Sequence, residues 1–212
     1  MRARIMRIFG ARHHKTQYVR QCRVIGIAGC TPGSGVTHIA ISAANYLTGM
    51  MGFRVAYVEV KEKSDIVQFL EKNPIIHSRC VGFSHMNVDY FPQAQADDVA
   101  DIEELGYDFL ICDLGVIEPE VRSVLRRCHR RIIIGSLKPW KYKKYSEYMR
   151  DLYMKDDSLR GFLYVIFLRK EEEQRFYREF GVRVKGVSLI EDPFRLKGVD
   201  RDYLERFTAE WF

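Results

Sequence analysis

The chain has 212 residues, 47% of them hydrophobic, and a net charge of +6, enough to bury one sizeable core and somewhat long for the commonest single domain. No apolar run reaches the roughly 18 to 20 residues that span a membrane, and no signal-peptide hydrophobic region follows the basic N-terminus, so a cytoplasmic protein is expected. Cys22, Cys30, Cys80, Cys112 and Cys128 form no CxxC pair and sit largely in apolar stretches, which reads as reduced, mostly buried thiols and not as a metal site.

The charge excess lies at the N-terminus. Arg2, Arg4, Arg7, Arg12, Lys15, Arg20, Arg23 and Arg54 precede the first acid, Glu59, and the rest of the chain nets −2. On a helical wheel Met1, Ile5, Ile8 and Phe9 share one face of "MRARIMRIFG", flanked by Arg2, Arg4 and Arg7. That is the composition of an interfacial anchor, although about ten residues are marginal for an isolated helix. Residues 1–22 thus read as a basic, flexible or amphipathic arm. An anionic membrane surface at the inner face, nucleic acid and plain solvation all remain open for it.

From residue 23 on, short β-branched runs alternate with helical patterns, the mark of βαβ units. The expected strands are "RVIGIAG", "FRVAYVEV", "VDYF" (88–91), "DFLICD" (108–113), "RIIIGS" (131–136), "GFLYVIFL" (161–168) and "RVKGVSLI" (183–190). Helices are expected near 36–49, where Ala40, Ser42, Ala43 and Ala44 allow close packing, and from Ile66 with Asp65 as its cap. Others begin at Pro119 and cover "KPWKYKKYSEYMRDLYMK" and "KEEEQRFYREFG". The reading is an α/β fold, doubly wound, with a mostly parallel sheet of about seven strands and helices on both faces. Residues 23–212 form one domain, closed by a C-terminal docking helix in which Tyr203, Leu204, Phe207 and Trp211 share a side.

A strand, a glycine-rich turn and a helix N-terminus converge at "GCTPGSGVTH", residues 29–38. Unpaired N–H groups and the positive helix end make such a turn an anion site. Gly33, Ser34, Gly35, Val36, Thr37 and His38 are the candidate nucleotide-contacting residues. Thr37 matches the hydroxyl position of G-x-x-x-x-G-K-[ST], where both phosphate and magnesium are bound; Val36 stands at the lysine position and Cys30 at the first glycine. Asp113, a carboxylate at the carboxyl end of a buried strand, lies at the usual ligand edge of an open α/β sheet and joins Thr37 as the candidate metal pair.

The segment from "GIAGCTPGSGVTHIAISAANYL" to "GFRVAYVEV" resembles the start of the MinD/ParA branch of P-loop proteins, the deviant Walker A ATPases. Against their K-G-G-x-G-K-T, Thr31 takes the signature lysine, Pro32 and Gly33 the two glycines, Ser34 the variable position, and Gly35, Val36 and Thr37 the final triplet. "YVEV" resembles the strand ending in the switch I aspartate, here Glu59, with Lys61 at the family's second acidic position. "YDFLICDLG" resembles Walker B, "RIIIGSLKPW" the strand before the base-side loop, and "VKGVSLIEDPF" the late "lGvIP" segment. The resemblance runs over residues 23–195 and implies a P-loop NTPase fold, ATP or ADP with Mg2+ as ligands, a homodimer, and partners in a larger assembly.

Both lysines are absent. A hydrogen bond to a charged group is worth about 1.5–3 kcal/mol, so losing one weakens triphosphate binding roughly tenfold to a hundredfold. Pro32 also removes an N–H. The expectation is therefore a noncatalytic or very weak nucleotide-binding protein that scaffolds or positions a membrane- or pole-associated assembly, as pilus-assembly proteins of the TadZ/CpaE type do. Two alternatives stand beside it. One is an active ATPase or kinase with a replacement cation from another element or a dimer partner. The other is a nucleic-acid-binding module using the basic arm. The lysine-interleaved Tyr142, Tyr145, Tyr148 and Tyr153 read either as stacking contacts to nucleic acid or, with Tyr145 and Tyr148 on one helix face, as a half-buried, lysine-rimmed helix. Glu59 reads either as a long base or as a strand-end carboxylate paired with Lys61 or Lys63. His38 reads as structural. Cys30, close to a helix N-terminus, is in a position to have its pKa lowered.

Overall fold

The computed structural model describes residues 21–64, 66–67, 74–77 and 80–212. The N-terminal arm up to residue 20 lies outside them, as does most of the helix expected from Ile66 with its Asp65 cap.

Nine strands form one sheet: β1 (Arg23–Gly29), β2 (Val55–Glu59), β3 (Pro74–His77), β4 (Cys80–His85), β5 (Val88–Phe91), β6 (Phe109–Val116), β7 (Arg130–Gly135), β8 (Phe162–Ile166) and β9 (Lys185–Val187). Their order is β3-β4-β5-β2-β6-β1-β7-β8-β9. The seven from β5 to β9 in that order pair in parallel, while β4 runs antiparallel to both β3 and β5. The seven parallel strands are those legible in the sequence; β3 and β4 extend the expected sheet to nine. Between β4 and β5 a two-residue turn places Met86 (φ 50°) and Asn87 (φ 63°) in the left-handed region, the geometry of a tight hairpin for which asparagine is suited.

The helices are α1 (Val36–Gly49), α2 (Asp98–Glu103), α3 (Pro119–Arg127), α4 (Pro139–Tyr148), α5 (Lys170–Phe180) and α6 (Gly198–Thr208). Because side chains alternate along a strand, β1 sends Ile25 and Ile27 into a core shared with α1 and α6, and Val24 and Ala28 into a second core shared with α3, α4 and α5. The sheet is thus wound on both faces, which explains why its central strands are apolar without alternation. Ala40, Ala43 and Ala44 are fully buried and let α1 lie close on β1 and β6. The C-terminal α6 covers the same face, burying Leu204, Phe207 and the following Trp211. Among the described residues no helix is long and apolar enough to cross a membrane.

Candidate nucleotide site at the loop after β1

The turn between β1 and α1 is held by its own backbone. Cys30 N donates to Ile134 O at 3.0 Å, fixing the loop to β7. Ser34 Oγ donates to Thr31 O at 2.5 Å, closing the loop on itself. Gly33 (φ 67°) and Gly35 (φ 76°) both adopt the left-handed conformation that a side chain disfavours, and the turn they shape leads into the N-terminus of α1, where backbone N–H groups and the helix dipole favour an anion. Gly35 caps α1 without a side-chain hydrogen bond, and the amides of the first turn of α1 have no intrahelical acceptor. Pro32 lies exposed beside them and contributes no donor.

Val36 borders the cleft over this turn but presents little of itself there. It is 7% exposed and packs in the core with Ile25, Ile27 and Ile39. The lysine position has become part of the interior.

At the strand ends, register does the positioning. Glu59 of β2 pairs with Asp113 of β6, which brings two carboxylates side by side, both fully buried. Asp113 Oδ2 accepts from Thr37 Oγ1 at 2.5 Å and from Tyr57 OH at 2.8 Å, and its Oδ1 accepts from Gly115 N at 2.9 Å. Lys61 enters the same cluster: its Nζ lies 2.8 Å from Thr37 Oγ1, 3.1 Å from Asp113 Oδ2 and 3.3 Å from Glu59 Oε1. Burial, and after it the charges of Asp113 and Glu59, push the Tyr57 phenol well above its ordinary pKa, so it stays a donor. Glu59 is thus the lysine-paired strand-end carboxylate of the two readings the sequence allowed.

A cleft of about 1000 Å³ opens over the loop, with Lys61, Lys63, Glu118 and Glu120 among the residues that line it. Gly33, Ser34, Gly35, Val36, Thr37 and His38 all border it. Asp113 sits beneath, reached through Thr37 and Lys61. His38 is tied elsewhere, its Nε2 lying 2.7 Å from Ile190 O. A second lysine stands at the rim: Lys141 of α4 donates to Pro32 O at 3.2 Å and Gly33 O at 3.4 Å.

One expectation is corrected. Burial pushes the Cys30 thiol up, not down, because its side chain turns into the apolar interior away from the helix N-terminus. Tyr145 and Tyr148 are 0% and 5% exposed and pack in the core with Phe176 and Phe180, the one-face helix packing that their spacing allowed, so they offer no stacking face to nucleic acid. Sequence reasoning named Lys61 as a partner for Glu59 and at the second acidic position, and did not name Lys141. The position of Lys61, two residues past Glu59 on the outgoing chain, was the available signal for its reach to Thr37 and Asp113; the approach of α4 to the loop carried none.

Neither a family model nor a curated protein matches the sequence. Among solved structures, a ParA family ATPase from Chlorobium tepidum is similar with a TM-score of 0.65 at 15% identity, over 90% of this chain and 93% of that one. The fold is that of the ParA and MinD ATPases. A protein of Borrelia burgdorferi assigned to plasmid partition and bound to AMPPNP gives a TM-score of 0.63 at 15% identity, over 91% and 100% of the two chains. The MinC:MinD cell division complex of Aquifex aeolicus gives 0.59 at 15% identity, over 87% and 86%. Within the ParA/MinD fold the β1–α1 turn of this chain is the P-loop equivalent, and the ends of β2 and β6 lie beside it.

Proposed function

We propose that this chain is a ParA/MinD-fold protein that binds a phosphate-bearing ligand, ADP or ATP, at the β1–α1 turn without efficient hydrolysis, and serves as a scaffold or positioning protein. The observation that carries this reading is the contrast within one site: the turn keeps left-handed Gly33 and Gly35 at the N-terminus of α1, where the first amides have no intrahelical acceptor, while the side chain at the lysine position, Val36, is buried in the core. Backbone donors suffice to hold an anion. Phosphoryl transfer further needs cationic side chains on the β- and γ-phosphates and a placed water, and the loop itself supplies neither.

The similar Borrelia protein is bound to AMPPNP, which supports a nucleotide as the ligand, and MinD is complexed with MinC, which supports a protein partner. A homodimer, an assembly of the TadZ/CpaE type and peripheral membrane contact through residues 1–10 complete the proposal. A second reading, an ATPase with a replacement cation, is favoured by Lys141 at the loop rim. Steady-state ATP turnover by the full chain separates the two. The scaffold reading expects turnover indistinguishable from that of the Thr37→Ala variant; turnover that T37A and Asp113→Asn abolish would establish the ATPase.

A further inference from the structure

A ParA/MinD fold implies a magnesium ion between the helix hydroxyl and the strand-end carboxylate, here Thr37 and Asp113. The residues present do not fit one. Magnesium takes oxygen ligands at about 2.0–2.1 Å in near-octahedral array, and both oxygens it would need are already engaged with an ammonium group. Lys61 Nζ lies 2.8 Å from Thr37 Oγ1 and 3.1 Å from Asp113 Oδ2, and Thr37 and Tyr57 also direct hydrogens at Asp113 Oδ2.

We infer that the Lys61 ammonium replaces the divalent cation, so that this site binds phosphate-bearing ligands without metal. The inference rests on the proposed phosphate-binding role of the turn and deepens it. Three features support it. First, Lys61 is attached where its reach is fixed: Glu59 ends β2, and the two residues that follow carry the chain back over the carboxyl edge towards Thr37. Second, Lys61 lines the cleft with its side chain 20% exposed, whereas the side chains of Glu59 and Asp113 are 0% exposed, so the lysine stands between the buried acids and the ligand space. The three donors of its ammonium meet Thr37, Glu59 and Asp113, so it acts on a bound anion through its charge, from the position a metal would take. Third, the second cation is shut out by repulsion as well as by occupancy, because a divalent ion on the same two oxygens would lie within a few ångströms of the ammonium.

The test uses the full-length chain with two probes, Mn2+ alone and ADP. For the wild type, calorimetry with Mn2+ is expected to show no binding that depends on Thr37 or Asp113, and the ADP dissociation constant is expected to change less than about twofold between EDTA and excess Mg2+. Lys61→Met removes the ammonium at nearly constant length. In it, ADP binding in EDTA is expected to fall roughly tenfold or more, as loss of a charge-assisted contact implies, and Mn2+ is expected to bind in a manner that the added Thr37→Ala change abolishes. Wild-type Mn2+ binding that T37A removes, wild-type ADP binding that requires Mg2+, or no ADP binding under either condition would each overturn the inference. The wild-type arms decide it even if K61M fails to fold. Failure here is distinguishable from failure of the scaffold reading: ADP binding that needs Mg2+ without turnover overturns only the metal-free claim, whereas metal-independent turnover overturns only the scaffold.

Discussion

The turn after β1 and the paired ends of β2 and β6 meet at one cleft, yet they depart from the ParA/MinD pattern in opposite ways. The turn keeps its backbone shape, with Gly33 and Gly35 in the left-handed region, and lacks its cationic side chains. The strand ends keep their buried acids, Glu59 and Asp113, and hold a lysine where the pattern has another acid. Anion affinity that resides in backbone amides survives side-chain substitution. Metal affinity, which resides in side-chain oxygens, is cancelled by one nearby ammonium.

The sharpest way to break this contrast is to remove the acceptor at its centre. Asp113 takes hydrogen bonds from Thr37, Tyr57 and Gly115 and pairs with Lys61. Asp113→Ala should therefore cost about 3–5 kcal/mol, as breaking a buried ion pair does, measured by urea unfolding. Restoring the lysine to the turn should not restore function. Val36→Lys forces a longer, charged side chain into a packed core position and should cost about 1–3 kcal/mol, with ATP turnover staying at background in a coupled assay.

A smaller effect is expected at Tyr57. Its replacement by phenylalanine removes one buried hydrogen bond to Asp113 and should cost about 0.5–1.5 kcal/mol near neutral pH. The sign of its pH dependence follows from the raised phenol pKa. Above the ordinary value of 10 the unfolded chain loses this proton while the folded one keeps it, so the stability contributed by Tyr57 is complete below that pH and declines above it. The gap between wild type and Tyr57→Phe should accordingly narrow in urea titrations carried from about pH 8 to about pH 10.5. The smallest effect belongs to Lys141, which bonds carbonyls at an exposed rim: Lys141→Ala should change stability by less than about 0.5 kcal/mol. If it abolishes turnover instead, the replacement-cation reading gains.

The parallel sheet was legible because each of its strands is a short apolar run set between helical patterns, and the turn because glycines cluster between a strand and a helix. The β3–β4 addition was not: "PIIH" and "CVGFSH" are short, and β4 joins β5 through the left-handed Met86-Asn87 turn, where no glycine announces it. At the site, the residue types of Thr37, Glu59 and Asp113 carried the signal. The inward burial of Val36 and the bridging by Lys61 did not, since both are set by the register of β2 against β6 and by the angle at which α1 leaves the turn.

The most direct measurement is a crystal structure of the full chain grown with pyrophosphate and manganese, with anomalous data collected at the manganese edge. The expected result is a diphosphate on the amides of Gly33 to Thr37 with Lys61 beside it and no anomalous peak between Thr37 and Asp113. A manganese ion bound to those two residues, or a turn that holds no anion, would contradict it.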